Sequence, residues 1–134
     1  MMFLNSKIKY GVKALLYFSK LNRNEIISAA KIAAELDVPK EFISKIMQSL
    51  VYNGILKSKK GKGGGFYLAV SPDKIKYETV FRILGYNENY SLCLFDMVQF
   101  CENKSCPFCD SWKEFIDKFN NTLKSYSLSG NLVE

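Results

Sequence analysis

The residues best suited to chemistry are four cysteines, which all fall within 17 residues of a 134-residue chain. They are Cys93, Cys101, Cys106 and Cys109, separated by seven, four and two residues. Thiolates bind zinc and the iron of iron–sulfur clusters well, and a two-residue gap lets two sulfurs converge on one metal. The chain contains no histidine. The spacing therefore predicts a soft-metal site whose protein ligands are sulfurs, completed if needed by an oxygen or an outside molecule.

The spacing leaves the kind of site open. Four thiolates suit a two-iron or a four-iron cluster equally well. Sulfur-only zinc is the alternative, although seven residues between the first two ligands exceed the usual zinc knuckle. A thiol–disulfide switch is a further alternative.

Composition indicates one globular domain. Apolar residues make up 48% of the chain and aromatic residues 14%, which argues against a disordered protein. No apolar run approaches the roughly 18 residues of a membrane span, and the N-terminus lacks the pattern of a secretory signal. We therefore expect a cytoplasmic protein with no membrane partner, in which clustered cysteines serve as metal or redox ligands before structural disulfides.

The net charge of +6 is unevenly distributed. Residues 1–76 carry 14 Lys and Arg against 5 Asp and Glu, a net of +9. Residues 77–134 carry 5 against 8, a net of −3, and contain every cysteine. The basic part is where a polyanion would bind. The chain shows no histidine base and no nucleophile arrangement, so the sequence argues against a hydrolase and we expect no enzyme activity.

The elements that must position these groups are mostly helical. Residues 6–21 form a predicted helix whose apolar stripe is Ile8, Val12, Leu15, Leu16 and Ser19, widened by Tyr10, Ala14, Tyr17 and Phe18. Ser28 is a predicted N-cap for a short helix to residue 36, and Pro39 suits the first position of the next, which ends at Asn53-Gly54.

Two short helices joined by a tight turn, 28–36 and 39–53, are typical of a helix-turn-helix. The alternative is an ordinary helical hairpin. The polar side of the second helix carries Lys40, Glu41, Ser44, Lys45 and Gln48.

The next segment predicts a basic β-hairpin. Residues 55–60 alternate as a half-buried strand does, five residues with four glycines follow, and residues 66–70 form a second strand. Such a hairpin after a helix-turn-helix is a wing. Lys59, Lys60 and Lys62 can meet phosphates there, and Gly63 and Gly64 let backbone approach a duplex closely. Neither a dinucleotide loop nor a P-loop matches these glycines.

The rest of the chain is predicted as a short helix at 77–85, an irregular cysteine-rich loop at 86–109 and a last helix at 110–126 capped by Asp110. Its apolar seam is Trp112, Phe115, Ile116, Phe119 and Leu123. We predict that this seam forms a homodimer interface; the alternative is packing on its own domain. The predicted fold class is mainly α with a small β-hairpin wing. We divide it into a DNA-binding region, 1–76, and a sensing and dimerisation region, 77–134, within one domain.

Several segments together resemble a known family. They are Tyr10-Gly-Val-Lys-Ala-Leu, Ile32-Ala33, Val38-Pro39, Phe42-Ile43 with Ile46, and above all Gly54-Ile-Leu-Lys-Ser-Lys-Lys-Gly-Lys-Gly-Gly-Gly-Phe-Tyr-Leu-Ala69. Cys93-Leu94, Cys101, Cys106 and the closing residues 127–132 extend the match. Over nearly its whole length the chain resembles the Rrf-type winged-helix transcription regulators, which include iron–sulfur, nitric-oxide, iron and cysteine regulators.

The resemblance implies a homodimer that binds a pseudo-palindromic operator in double-stranded DNA. Its DNA-reading positions fall on Lys40, Glu41, Ser44 and Lys45, with Lys60 at the wing; Ser28 and Gln48 complete our predicted surface.

It also implies an iron–sulfur cluster on the first three cysteines, which is easily lost in air. Cys109 stands where one branch of the family has a histidine ligand. Lys9 stands where other branches have a partner carboxylate, and a protonated lysine cannot replace that ligand.

The leading hypothesis is therefore a repressor or activator that senses iron, redox state or nitric oxide through an iron–sulfur cluster. The same DNA-binding fold with a structural zinc or a thiol–disulfide switch is the alternative. A small iron–sulfur electron carrier or enzyme subunit is a third hypothesis.

Overall fold

A computed structural model describes residues 4–22, 24–87, 93, 95 and 106–133. The described residues form five α-helices, one antiparallel hairpin and one 3₁₀ turn. The helices are α1 Ser6–Ser19, α2 Ala29–Leu36, α3 Lys40–Tyr52, α4 Tyr77–Ile83 and α5 Phe108–Ser125; the strands are β1 Leu56–Lys59 and β2 Gly65–Leu68; the 3₁₀ turn is Pro72–Lys74. The predicted fold class, mainly α with a small β-hairpin wing, is confirmed.

Helix α1 is fixed to α4 at two points. The side chain of Asn5 caps α1 by accepting the Ile8 N–H at 2.8 Å, and its amide donates to the Leu84 carbonyl at the end of α4. A side chain at Gly11 would collide with Leu84. Glycine at this position therefore leaves the Leu84 side chain undisturbed against α1.

The predicted apolar stripe of α1 is partly wrong. The buried residues are Ile8, Gly11, Ala14, Leu15 and Phe18. Val12 and Leu16 are half-buried, and the Ser19 hydroxyl donates to the Leu16 carbonyl. Gly11 belongs to the buried side, near Leu84 and Ile46, and a stripe predicted from apolar side chains cannot include it.

The helix-turn-helix forms as predicted, with one correction. Ser28 caps α2 by accepting the Lys31 N–H, and Asp37 ends that helix in the left-handed conformation. Pro39 is the N-cap of α3, in extended conformation, instead of its first helical residue. The Tyr10 ring meets the Phe42 ring edge to face at 5.7 Å, which holds α1 against α3.

Helix α5 begins earlier than predicted. Its first residue is Phe108, so Cys109 lies inside the helix, and Pro107 takes the N-cap position that we assigned to Asp110. Asp110 instead lies in the first turn, where its negative charge favours the helix dipole. The predicted helix of 110–126 is thus Phe108–Ser125, and the predicted loop of 86–109 lies largely outside the described residues.

The segment after α5 folds back against the rest of the chain. Tyr126 pairs with Leu132, and Ser127 pairs with Lys76 before α4. The Leu128 N–H donates to the Ile75 carbonyl at 2.9 Å. These bonds fix the end of α5 beside the start of α4.

One hydrophobic core joins the helices and the base of the wing. Its members with no exposure include Leu15, Ile32, Ile43, Met47, Leu50 and Val80. Leu123 of α5 and Leu128 also belong to it. The core therefore supports both the helix-turn-helix and the far end of α5.

Candidate nucleic-acid interface and cysteine site

The polar side of α3 faces outward. Lys40, Glu41, Lys45 and Gln48 are exposed, and Ser44 is half-buried. The opposite side of the helix is held in the core by Ile43, Ile46, Met47 and Leu50. The five polar residues predicted on α3 thus lie on a helix whose rotation is fixed by its buried side.

The wing presents its lysines to solvent. Lys59, Lys60 and Lys62 are exposed, as is Gly63, while Gly64 is half-buried. The prediction of a half-buried first strand is wrong, because Leu56 is the single buried residue of β1. Since alternate residues of a strand share a face, Lys57 lies on the same side as Lys59. Lys57 is exposed and was missed by our sequence reasoning, which stopped at the tip.

The wing is anchored to the helix-turn-helix through its second strand. Ile27 and Phe66 exchange two backbone hydrogen bonds of 2.8 and 2.9 Å. A side chain at Gly65 would collide with the Ile27 carbonyl, and one at Gly64 with the Lys59 carbonyl. These two glycines are therefore needed for the hairpin itself, in addition to any close approach to a duplex.

Ser28 follows this anchor directly. Its hydroxyl oxygen caps α2 by accepting the Lys31 N–H at 3.1 Å, and the side chain is exposed. A hydroxyl that accepts one hydrogen bond can still donate one. The start of α2 and the wing thus stand next to each other, both open to a polyanion.

Three of the four predicted cysteine ligands lie among the described residues: Cys93, Cys106 and Cys109 are half-buried thiols. Cys101 lies outside the described residues. The Cys109 N–H donates to the Cys106 carbonyl at 3.2 Å, so these two form one turn at the start of α5. The Cys93 sulfur accepts the Phe95 N–H at 3.4 Å, the kind of hydrogen bond that tunes metal-bound sulfur.

A contact between two aromatic rings brings the chain beside Cys93 to the first turn of α5. Phe95, two residues after Cys93, meets Phe108 edge to face at 5.7 Å. Phe108 stands between Cys106 and Cys109 in the sequence. Within the described part of the chain no three metal-binding side chains converge on one point. The thiol donors suit a soft metal chemically, and the ring pair holds the backbone near Cys93 to the turn of the other two.

The predicted seam on α5 divides into two parts. Ile116 and Leu123 are buried within their own chain, 7% and 6% exposed. Phe115 is 48% exposed and stacks between Trp112 and Phe119. Phe119 in turn contacts Phe81 and Tyr86. Packing on its own domain is therefore observed for Ile116 and Leu123, while Trp112, Phe115 and part of Phe119 form an aromatic face at the surface.

A winged helix with these surfaces matches a family model of known proteins. The Rrf2 model, described as iron-dependent transcriptional regulator, matches residues 4–133. The chain belongs to the Rrf2 family. It is therefore a DNA-binding transcriptional regulator and not an enzyme. The hypothesis of a small electron carrier or enzyme subunit is wrong.

Two relatives align with this chain over nearly its whole length. An HTH-type transcriptional regulator of Aquifex aeolicus (strain VF5) is 29% identical over 130 residues, 95% of this chain and 89% of the relative. The regulator NsrR of Geobacillus kaustophilus (strain HTA426) is 28% identical, covering 98% and 90%.

Solved structures share the fold. CymR, the global cysteine regulator of B. subtilis, superposes with a TM-score of 0.75 at 22% identity, covering 97% of this chain and 95% of that one. IscR of T. potens gives 0.68 at 23% identity, covering 95% and 83%.

Across the described residues, no helix has the length and apolar character needed to cross a bilayer.

Proposed function

We propose that this Rrf2 regulator is a homodimer that binds a pseudo-palindromic operator and senses iron, redox state or nitric oxide through an iron–sulfur cluster on Cys93, Cys101, Cys106 and Cys109. The name NsrR of one relative and IscR of one structural neighbour agree with this class of regulator. Helix α3 reads the major groove through Lys40, Glu41, Ser44, Lys45 and Gln48. Lys59, Lys60 and Lys62 bind phosphates from the wing, beside Ser28.

The observation that carries the sensing role is the contact between Phe95 and Phe108 at 5.7 Å. It draws the chain next to Cys93 toward the helical turn that holds Cys106 and Cys109. Because α5 begins at Phe108, a change at these cysteines acts directly on the first turn of the helix. When bound, an iron–sulfur cluster supplies a group whose oxidation or loss alters the bonds made by these sulfurs.

The position of the cysteines explains how such a change would reach DNA. The cysteine segment connects α4 with α5, and the end of α5 is fixed beside the start of α4 by Leu128 and Ile75. A dimer reads half-sites about one helical turn apart, roughly 34 Å. A rotation of α5 against α4 would therefore alter the separation of two α3 helices and with it the affinity for the operator.

Cys109 is the ligand to test first. It is half-buried in the first turn of α5, where its side chain can share a metal with Cys106. Lys9 is exposed on α1, at the position where a partner subunit would have to supply a carboxylate ligand, and a lysine cannot supply one. We therefore propose an all-cysteine site.

Anaerobic purification with absorption spectra and iron and sulfide analysis tests the cluster. We expect visible absorption with iron and sulfide in the wild-type protein, and a strong loss in Cys106→Ser. Cys109→Ser should reduce iron content as well. Colourless wild-type protein without iron or sulfide would refute the cluster while leaving DNA binding intact.

The dimer is tested at Phe115, the exposed member of the aromatic face. Phe115 packs only partly against its own chain, so a charge at this position should disrupt the subunit contact and leave the fold intact. We therefore expect Phe115→Asp to sediment as a folded monomer. Lys113→Asp, an exposed change two residues away, is the control. If Phe115→Asp remains a dimer, the subunit interface lies elsewhere on the chain.

A thiol–disulfide switch is the second candidate, because Cys106-Pro-Phe-Cys109 forms a turn with both thiols half-buried. The same turn also suits a structural zinc. Metal analysis separates the three kinds of site. Iron with sulfide indicates a cluster, and zinc alone indicates a structural zinc site. A metal-free dithiol that forms a disulfide with an added disulfide oxidant indicates a thiol–disulfide switch.

A further inference from the structure

Tyr52, at the end of α3, is the most exposed large apolar side chain among the described residues, with 91% of its surface open to solvent. Burying an aromatic ring stabilises a protein, and Tyr52 contributes almost none of this stabilisation. A single exposed aromatic residue is common on protein surfaces, so exposure alone assigns it no role. The position of Tyr52 on its helix decides what the side chain can contact.

Tyr52 continues the row of exposed polar residues on α3. Residues advance by about 100° around an α-helix, which places Tyr52 within roughly 40° of three exposed members of the predicted reading face, Glu41, Lys45 and Gln48. The buried residues of α3 lie on the opposite side of the helix. Tyr52 therefore faces the same partner that the polar row faces.

Hydrogen bonds beyond Tyr52 fix the end of α3. The Asn53 side-chain amide donates to the Ser49 carbonyl at 2.8 Å, and the Ile55 N–H donates to the Leu50 carbonyl at 2.9 Å. Carbonyl groups at a helix C-terminus carry partial negative charge, which such hydrogen bonds offset. They therefore hold the backbone of Tyr52 in place and lower the cost of bringing an anion to this end of the helix.

The length of the row indicates which part of a duplex Tyr52 meets. Glu41 and Tyr52 are about 16 Å apart along the helix axis, because each residue rises about 1.5 Å. The N-terminal residues of a recognition helix contact base edges, and the major groove is about 12 Å wide. A side chain this far from the base-reading end lies at the rim of the groove, where the phosphates are. A tyrosine hydroxyl can donate a hydrogen bond to a phosphate oxygen there.

We propose that Tyr52 is a further DNA contact of this regulator, and that its hydroxyl donates to a backbone phosphate at the rim of the groove read by α3. This rests on the reading role proposed for α3 and extends the DNA-binding surface to the last turn of that helix. Double-stranded DNA is the partner because Tyr52 is continuous with the polar row, and because residues 1–76 carry a net charge of +9. The contact is independent of sequence, since every base pair presents the same phosphates.

Binding of the full-length, anaerobically purified protein to two duplexes of equal length tests this contact. One duplex is the sequence that the wild type selects from a random pool, and the other has a random sequence. Tyr52→Phe removes only the hydroxyl, so we expect weaker binding to both duplexes by the same factor, about twofold to tenfold per protomer. Because tyrosine is uncharged, the salt dependence should keep its wild-type value, in contrast to that of Lys60→Ala.

Tyr126→Phe is the matched control, because it makes the same change at an exposed tyrosine after α5, and it should bind both duplexes as the wild type does. Thermal melting of both variants verifies folding. Wild-type affinity in Tyr52→Phe, with Lys60→Ala still weakened, would overturn the proposal and leave the rest of the DNA-binding surface in place. A loss confined to the selected duplex would also overturn it, because the hydroxyl would then contact a base. If neither Tyr52→Phe nor Lys60→Ala changes affinity, the proposed DNA-binding surface itself is wrong and the Tyr52 contact fails with it.

Discussion

The DNA-reading part and the cysteine segment are held in place by different means. Leu15, Ile32 and Leu50 have no exposed surface, and they fix the helices that carry the reading positions. Phe95 and Phe108 at the cysteine segment are 50% and 51% exposed, although they contact each other. The first region is specified by burial. The described residues of the second region are positioned by contacts at the surface.

This difference is suited to a regulator whose DNA-binding surface must keep its shape while its sensor changes. Opening buried apolar contacts costs a free energy close to that of global unfolding, whereas opening surface contacts costs little. A metal site can supply the missing stability, since binding free energy adds to folding free energy. We therefore expect substitutions in the two regions to separate stability from cofactor retention.

The largest effect is expected from Leu50→Ala, which removes a fully buried side chain behind the reading face of α3. Truncation of such a leucine destabilises by about 2–5 kcal/mol. Chemical denaturation should show this loss, and DNA affinity should fall because α3 is no longer held. Tyr52→Ala, at a residue 91% exposed on the same helix, is the control and should change stability by less than about 0.5 kcal/mol. Similar losses in both variants would contradict the contrast between core and surface.

A smaller loss is expected from Gly65→Val, which targets the anchor of the wing. The new side chain collides with the Ile27 carbonyl, so the Ile27–Phe66 pair must open. We expect a loss of about 2 kcal/mol and weaker DNA binding. Gly61→Ala, at φ +93° with no neighbour near its Cβ, is the control and should lose roughly 1 kcal/mol from backbone strain. If both variants bind DNA equally well, the anchor does not position the wing.

These contacts show which parts of the molecule were predictable. Ser28, the Asn53-Gly54 stop and the glycine hairpin were found because caps and turns depend on neighbouring residues. The Ile27–Phe66 pair joins residues far apart in sequence, and no local pattern marks it. Gly11 was missed among the buried residues of α1 because a pattern of apolar side chains does not mark a glycine. The start of α5 was misplaced because Asp favours both the cap and the first turn of a helix.

The candidate sites were likewise predictable only where neighbouring residues in the sequence mark them. Exposed lysines at the wing tip were predictable from composition, while the exposure of Lys57 depends on which residues of β1 the core covers. The clustering of the cysteines was visible in the sequence, but the Phe95–Phe108 contact was not.

A moderate effect on binding alone is expected from Lys60→Ala. Lys60 is exposed at the wing and contributes no packing to the core. Its loss should weaken specific and random duplexes by the same factor and reduce the salt dependence by about one ion per protomer. Lys45→Ala should instead alter the preference among sequences. Lys118→Ala, on α5, is the control, and an unchanged affinity in Lys60→Ala would show that the wing does not contact DNA.

The smallest effect on stability, and the most direct test of the cysteine segment, is expected from Phe95→Ala. An aromatic pair adds about 1 kcal/mol at most when its rings are half-exposed, so the metal-free protein should unfold almost as the wild type does. Iron and sulfide content after anaerobic purification should fall, since Cys93 is no longer held toward Cys106 and Cys109. Tyr52→Ala again serves as the control, as an exposed aromatic residue on α3, outside the cysteine segment. Equal iron content in the two variants would mean that the ring pair does not support the site, and the cysteine segment would then be organised by the metal alone.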